Sequence, residues 1–199
     1  MFSKSPRLLL AALGMLTLVG FSALGWVLAT LIQGRSLEEV FFPEARSWNR
    51  QLLDGTIYGL VASANILWLL YNRILDQPRH FFEQLIRRFN ITLPDIFFLS
   101  LCAGIGEEWL FRGAVQHWLG IWLTALAFVA LHGYLDPRDW RISLYGVLMV
   151  VIVAGMGYLY NYSGLIAAMV SHAIIDIAIF ISLKYFPGEK PPSPEQQQA

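Results

Sequence analysis

The sequence predicts an all-α fold, a polytopic transmembrane helix bundle of about six spans with an amphipathic helix at the membrane interface. Of the 199 residues, 56% are hydrophobic and 14% are charged, whereas soluble domains carry about 25% charged residues. Several uncharged runs are long enough to cross a hydrocarbon core of about 30 Å. The formal net charge is zero, so the composition gives no reason to expect nucleic acid as a partner.

The first predicted span covers residues 8–32 and follows Lys4 and Arg7. Its apolar run is longer than the 7–15-residue core of a typical signal peptide, so we expect a retained span. The other predicted spans are 55–71, 95–117, 119–132, 142–160 and 165–185. The run at 119–132 is short, which leaves its boundary with the preceding span open.

Six spans would place both termini on the same side of the membrane. Most basic residues then share that side: Lys4, Arg7, Arg73, Arg79, Arg87, Arg88, Arg138, Arg141, Lys184 and Lys190. The opposite side holds Arg35, Arg46 and Arg50. Because cytoplasmic loops are enriched in Lys and Arg, we expect an integral protein of the plasma (inner) membrane with both termini in the cytoplasm.

Residues 76–90 differ from the spans. Apolar residues recur at helical spacing, opposite His80, Glu83, Arg87 and Arg88. This pattern predicts a basic amphipathic helix on the cytoplasmic interface, either a simple connection or a platform for lipid or substrate. Overall we predict one transmembrane domain at 1–186, with a motif-bearing core at about 94–185. The tail at 187–199 is rich in proline and glutamine and is predicted to be disordered.

Charged residues inside a predicted span are costly, and the run Glu107-Glu108-Trp-Leu-Phe-Arg112 holds three of them. Glu108 and Arg112 are four residues apart, so they share a helix face and can form an ion pair. Glu107 points about 100° away from Glu108. It is therefore left as a desolvated carboxylate, available as a general base. The alternative is one buried salt bridge that joins all three residues and only holds helices together.

Later apolar helices carry two histidines. His132 ends the fourth run, with Phe128 one turn before it on the same face. His172 and Asp176 are four apart, so Asp176 can accept a hydrogen bond from one ring nitrogen and leave the other facing the bundle. Either histidine alone is typical of an interfacial or packed residue. Together with Glu107 they predict a site that deprotonates a water and stabilises an oxyanion.

Glu107, His132 and His172 also match the ligand set of a catalytic zinc. The chain has no His-Glu-x-x-His helix motif, and the three residues come from separate predicted helices. We therefore expect no cofactor and no metal, with zinc as the alternative.

These residues resemble the motifs of the CPBP intramembrane protease family, also called the Abi or type II CAAX prenyl endopeptidase family. The Glu-Glu-x-x-x-Arg motif is matched by Glu107, Glu108 and Arg112. The Phe-x-x-x-His motif is matched by Phe128 and His132. The third motif is His-x-x-x-Asn or His-x-x-x-Asp, and it is matched by His172 and Asp176. The resemblance covers about residues 94–185.

The resemblance implies an intramembrane endopeptidase in which Glu107 and His132 activate the attacking water. It further implies that His172 and Asp176 stabilise the oxyanion, with Glu108 and Arg112 in support. Some members have Asn in place of Asp176. An ionised Asp cannot donate a hydrogen bond to an oxyanion, so Asp176 has to be protonated or serve to orient His172.

The expected partners are membrane lipids and a hydrophobic or lipidated, CaaX-like, peptide or protein, with the oligomeric state open. Two other functions compete with hydrolysis. The protein could be a non-catalytic membrane scaffold or a bacteriocin self-immunity protein. It could also be a proton-coupled transporter, although the chain shows no inverted repeat.

Overall fold

The computed structural model describes residues 6–44 and 46–188. Within these ranges the chain is helical and contains no strand, which confirms the predicted all-α class. The helices are α1 Arg7–Ile32, α2 Leu37–Phe41, α3 Trp48–Leu70, α4 Asp76–Arg88, α5 Leu93–Leu131, α6 Trp140–Ser163 and α7 Leu165–Tyr185. Lys4, Lys190 and residues 189–199 of the predicted disordered tail lie outside the described residues.

Five of the described helices are long and apolar enough to cross a membrane: α1, α3, α5, α6 and α7. This differs from the expected six because the runs 95–117 and 119–132 both fall within α5. Its start is the one the sequence predicts. Thr92 caps the helix in a reciprocal capping box with Asp95, and a proline occupies its first turn.

Helix α5 reverses direction at Gly120. A straight helix would separate residues 107 and 132 by about 37 Å at 1.5 Å per residue. Instead, Glu107 Oε2 and His132 Nε2 are 3.6 Å apart. Gly120 has φ 70° and ψ 177°, a conformation that is essentially restricted to glycine. Residues 121–131 therefore form a half-length returning arm rather than a full span, and this arm carries His132 back to Glu107.

Both ends of the described chain lie at the same end of the bundle. Arg7 near the start of α1 is 4.0 Å from Asp95 in the first turn of α5. Lys184 at the end of α7 donates a hydrogen bond to the carbonyl of Ile91. The start of α5 therefore marks the end of the bundle where α1 begins and α7 finishes.

The amphipathic helix is present as α4 and packs against α7 and α6 at that same end. The sequence predicted that its polar residues share an exposed face, but two of the polar residues of this helix are buried. Glu83 is buried and so is Arg79, 3.5 Å away. Glu83 also accepts a hydrogen bond from the backbone of Gly188. Burial is tolerated because the two charges pair with each other.

Glycines bring α5 close to its neighbours. A Cβ at Gly106 would collide with the carbonyl of Thr17 in α1. A Cβ at Gly104 would come within 2.9 Å of the carbonyl of Met169 in α7. Close backbone approach through small residues is typical of membrane helix packing. It fixes the first arm of α5, which carries both glutamates, between α1 and α7.

Candidate active site

A cavity of about 310 Å³ lies between the two arms of α5 and helices α4, α6 and α7. Most of its wall is apolar. The polar residues among its described lining are Glu107, His132, Tyr134, Tyr145, His172 and Asp176. Its wall also includes Phe82 and Ile86 of α4. The cavity thus connects a polar cluster inside the bundle with the amphipathic helix.

Glu107 is the point on which the two histidines converge. Its Oε2 is 3.6 Å from His132 Nε2 and 4.0 Å from His172 Nε2. This oxygen is buried, and among the described residues it has no hydrogen-bond partner. Separations of this size are slightly too long for direct hydrogen bonds and suit a shared water. The prediction that Glu108, and not Glu107, pairs with arginine agrees with this arrangement.

His132 is held in one orientation by its own helix turn. Its Nδ1 lies 2.8 Å from the carbonyl oxygen of Phe128. A carbonyl only accepts hydrogen bonds, so Nδ1 carries a hydrogen and the neutral ring presents the lone pair of Nε2. That lone pair faces Glu107. The pair can therefore share one proton or orient one water between them.

Glu108 forms the buried support of the site. Its Oε1 lies 2.9 Å from Arg112 Nη1 and 2.7 Å from His172 Nδ1. Arg112 also donates to the carbonyl of Val153 in α6. The Glu108 and Arg112 side chains are 0% and 1% exposed. The predicted Glu108–Arg112 pair is present, and it links α5, α6 and α7.

Asp176 differs from its predicted geometry. Its Oδ2 lies 3.6 Å from His172 Nε2, which is longer than a hydrogen bond. The group that orients His172 is Glu108, which lies on α5 and faces the opposite ring nitrogen. Asp176 and Glu107 both face the Nε2 side of the ring. Four-residue spacing correctly placed Asp176 beside His172, but it could not indicate a stronger partner from another helix.

Phe128 is the common packing surface of these groups. Its ring stacks on His132 at 4.3 Å between centroids and meets His172 edge-on at 5.9 Å. The Arg112 guanidinium lies 5.2 Å from the centre of the same ring. An aromatic ring loses few degrees of freedom when it packs, so Phe128 restricts the rotamers of its neighbours at low entropic cost.

Arg112 lies in a π-helical turn, Phe111–Val115, that interrupts the first arm of α5. Side chains from the segment after α1 bind the carbonyls of this turn. Arg35 donates to Gly113 and Gln33 to Ala114, each at 2.9 Å. Such turns occur often at functional sites because they rotate the residues that follow relative to those before. Here the turn changes the direction in which the side chains after residue 115 point, relative to that of Glu107.

Tyr134 and Tyr145 were not predicted as site residues. Both line the cavity, and their rings meet edge-on at 5.3 Å. The sequence pointed instead to a general use of tyrosines at the membrane interface. The sequence signal that could have identified Tyr134 is its position two residues after the motif residue His132, just beyond the end of the returning arm.

Within the described residues, no group of three or more His, Cys, Asp or Glu side chains is arranged to hold a metal ion. Glu107, His132 and His172 approach one another, and the zinc alternative for these three residues stays a prediction.

Comparisons with known proteins point to one family. Residues 89–178 match the family model described as type II CAAX prenyl endopeptidase Rce1-like. The Bacillus subtilis protein described as "Uncharacterized protein YpbD" is 34% identical over 96 residues, which are 47% of this chain and 48% of that protein. The chain thus spans about half the length of this curated relative. No solved structure matches the chain.

Proposed function

We propose that this chain, whose residues 89–178 match the Rce1-like type II CAAX prenyl endopeptidase family model, is an intramembrane endopeptidase in which Glu107 activates a water molecule. The observation that carries the proposal is the convergence of both histidine Nε2 atoms on one carboxylate oxygen, at 3.6 and 4.0 Å. A general base needs this kind of access to a water and to a partner that shares the proton.

The proposed reaction has two steps. Glu107 takes a proton from the water while the water oxygen bonds to the peptide carbonyl carbon, and the carbonyl π electrons move onto the carbonyl oxygen. The tetrahedral intermediate then re-forms the C=O bond and expels the amine with the electron pair of the C–N bond. The amine nitrogen takes the proton held by Glu107. The products are a carboxylic acid and an amine, and the Glu107 carboxylate is regenerated.

The other residues act on the two ends of this reaction. His132 Nε2 accepts a hydrogen bond from the same water and orients it, because its other nitrogen is held by the Phe128 carbonyl. We propose that His172 carries both ring protons, because Glu108 faces its Nδ1 while Glu107 and Asp176 face its Nε2. Nδ1–H then donates to Glu108, and Nε2–H donates to the developing oxyanion. Glu108 and Arg112 are positioning residues. We propose this reaction without a metal.

We propose a hydrophobic or lipidated, CaaX-like, peptide as the substrate. The cavity is mostly apolar and reaches Phe82 and Ile86 of the amphipathic helix. A chain lying at the membrane interface can therefore reach the polar cluster from the end of the bundle where α4 lies. The excess of basic residues at that end favours the cytoplasmic side of the plasma (inner) membrane.

The test uses purified protein in lipid vesicles and two peptide pools, farnesylated CaaX peptides and unmodified apolar membrane peptides. Cleavage is read by mass spectrometry for the wild type, Glu107→Gln and Glu38→Gln. The last variant makes the same chemical change at an exposed position in α2. We expect cleavage by the wild type and Glu38→Gln, and none by Glu107→Gln.

Two results would count against the proposal. Wild-type cleavage by Glu107→Gln would reject Glu107 as the base. Failure of the wild type to cleave either pool would favour the non-catalytic alternative, a membrane scaffold or bacteriocin self-immunity protein. The pool that is cleaved identifies whether the lipid group is required.

A further inference from the structure

The proposed reaction leaves the oxyanion short of hydrogen-bond donors. His132 Nδ1–H is used by the Phe128 carbonyl, and His172 Nδ1–H is used by Glu108. An ionised Asp176 only accepts hydrogen bonds. With His172 protonated on both nitrogens, its Nε2–H is then the one donor that the imidazole and carboxyl groups of the cavity leave for the oxyanion. Oxyanion holes commonly combine more than one donor.

Tyr134 carries a neutral donor into this space. It lines the cavity, and its ring lies 5.8 Å from that of His132. Asp176 and Glu107 line the same cavity as this phenol. Across residues 6–44 and 46–188, no hydrogen bond ties the Tyr134 hydroxyl to a protein group. The hydroxyl is therefore available to a bound substrate.

The surroundings of Tyr134 hold its ring in place. Tyr145 and Phe82 each meet it edge-on, with centroids 5.3 and 5.9 Å away. Gly146 allows α6 to approach, since a Cβ there would collide with the Tyr134 carbonyl. Tyr145 is itself buried at 4% exposure, and among the described ring contacts it meets Phe82 and Tyr134, whereas Tyr134 also meets His132. Tyr134 is thus the better placed of the two phenols.

We infer that Tyr134 is a further catalytic residue, whose hydroxyl donates a hydrogen bond to the scissile carbonyl oxygen and to the oxyanion that forms from it. This inference rests on the proposed hydrolysis. The phenol keeps its proton throughout, so the balance of the reaction is unchanged. His172 Nε2 and the Tyr134 hydroxyl then bind the oxyanion from two directions. The carboxylate of Asp176 lies beside them and supplies no donor.

The experiment compares steady-state kinetics of the wild type, Tyr134→Phe and Tyr158→Phe on the peptide selected from the two pools. Tyr158 is on α6, exposed at 53% and outside the cavity. Loss of an oxyanion donor lowers kcat by on the order of 100-fold. We expect such a fall in kcat for Tyr134→Phe, with KM within a few-fold of wild type and an unchanged Tm. Tyr158→Phe should match the wild type.

A second variant tests the position of the carbonyl oxygen. Asp176→Asn introduces an amide donor beside His172. In the Tyr134→Phe background, we expect this amide to restore kcat by about 10-fold or more, as a replacement donor to the same oxygen. A structural defect caused by loss of the Tyr134 hydroxyl would not be repaired by an amide on α7.

The inference is overturned if Tyr134→Phe has the kcat of Tyr158→Phe, or if the amide at position 176 restores no turnover. In either case, loss of cleavage in Glu107→Gln would leave the proposed function standing. Cleavage by Glu107→Gln, or the absence of cleavage of both pools by the wild type, overturns the proposed function and this inference with it.

Discussion

Replacing Arg112 by alanine should strongly destabilise the bundle. The Arg112–Glu108 pair is almost completely buried, and its atoms are 2.9 Å apart. Removal of one partner from a buried ion pair typically costs about 3–5 kcal/mol, because the remaining charge is left without compensation. Glu108 keeps its contact with His172 Nδ1 at 2.7 Å. We therefore expect a loss at the lower end of that range, about 3 kcal/mol.

The assay is the free energy of unfolding in detergent micelles, measured by titrating SDS and following helix content. The chain offers a matched control in Arg50→Ala. Arg50 and Asp54 are also four residues apart and 3.0 Å from each other, but Arg50 is 49% exposed. Solvent reaches the Arg50 side of this pair and screens it, and Ser163 still donates to Asp54 after the change, so we expect a loss of about 1 kcal/mol or less.

The double variant Glu108→Gln/Arg112→Ala separates charge from packing. It removes the stranded carboxylate, so it should be more stable than Arg112→Ala alone. The reasoning is refuted if Arg112→Ala costs no more than Arg50→Ala. It is also refuted if the double variant is the less stable of the two, since the loss would then come from packing alone.

Three further expectations follow from the fold and site. Gly120→Ala should cost about 1–3 kcal/mol and lower turnover, because its backbone conformation is costly for any other residue and sets the position of His132. Thermal unfolding should show the loss. Gly20→Ala should not reproduce it, because Gly20 lies in a helical segment and is not one of the positive-φ glycines. Gly106→Ala should cost about 1–3 kcal/mol by pushing α5 away from Thr17, and an unchanged Tm would show that α1 moves freely. Cleavage should persist in EDTA and 1,10-phenanthroline, and loss of activity that zinc restores would favour the metal-dependent alternative.

The sequence predicted those parts of the site that depend on helical spacing. Glu108 and Arg112, four residues apart on one helix, had to share a face whatever the fold. The fold places the motif residues His132, His172 and Asp176 around one cavity. Their roles in catalysis remain predictions.

Other features depend on contacts between helices, which spacing does not contain. Each side of Gly120 has a run apolar enough to be taken as a span, so the pattern could not show that the second run returns only halfway. Glu83 was assigned to the exposed face. Its four-residue spacing from Arg79 is compatible with their ion pair, but spacing could not show that the backbone of Gly188, 105 residues later, donates to Glu83. Spacing likewise could not show that Glu108 orients His172, since the two lie 64 residues apart in the chain.

The most direct test of the account is a turnover experiment in H₂¹⁸O with the selected peptide. If Glu107 acts as a general base on water, the label enters the new carboxyl group of the product and none enters the protein. Mass spectrometry of the peptide that contains Glu107 checks this after several turnovers. Appearance of ¹⁸O in the Glu107 side chain would show that the carboxylate attacks the substrate itself, and it would contradict the proposed role of Glu107.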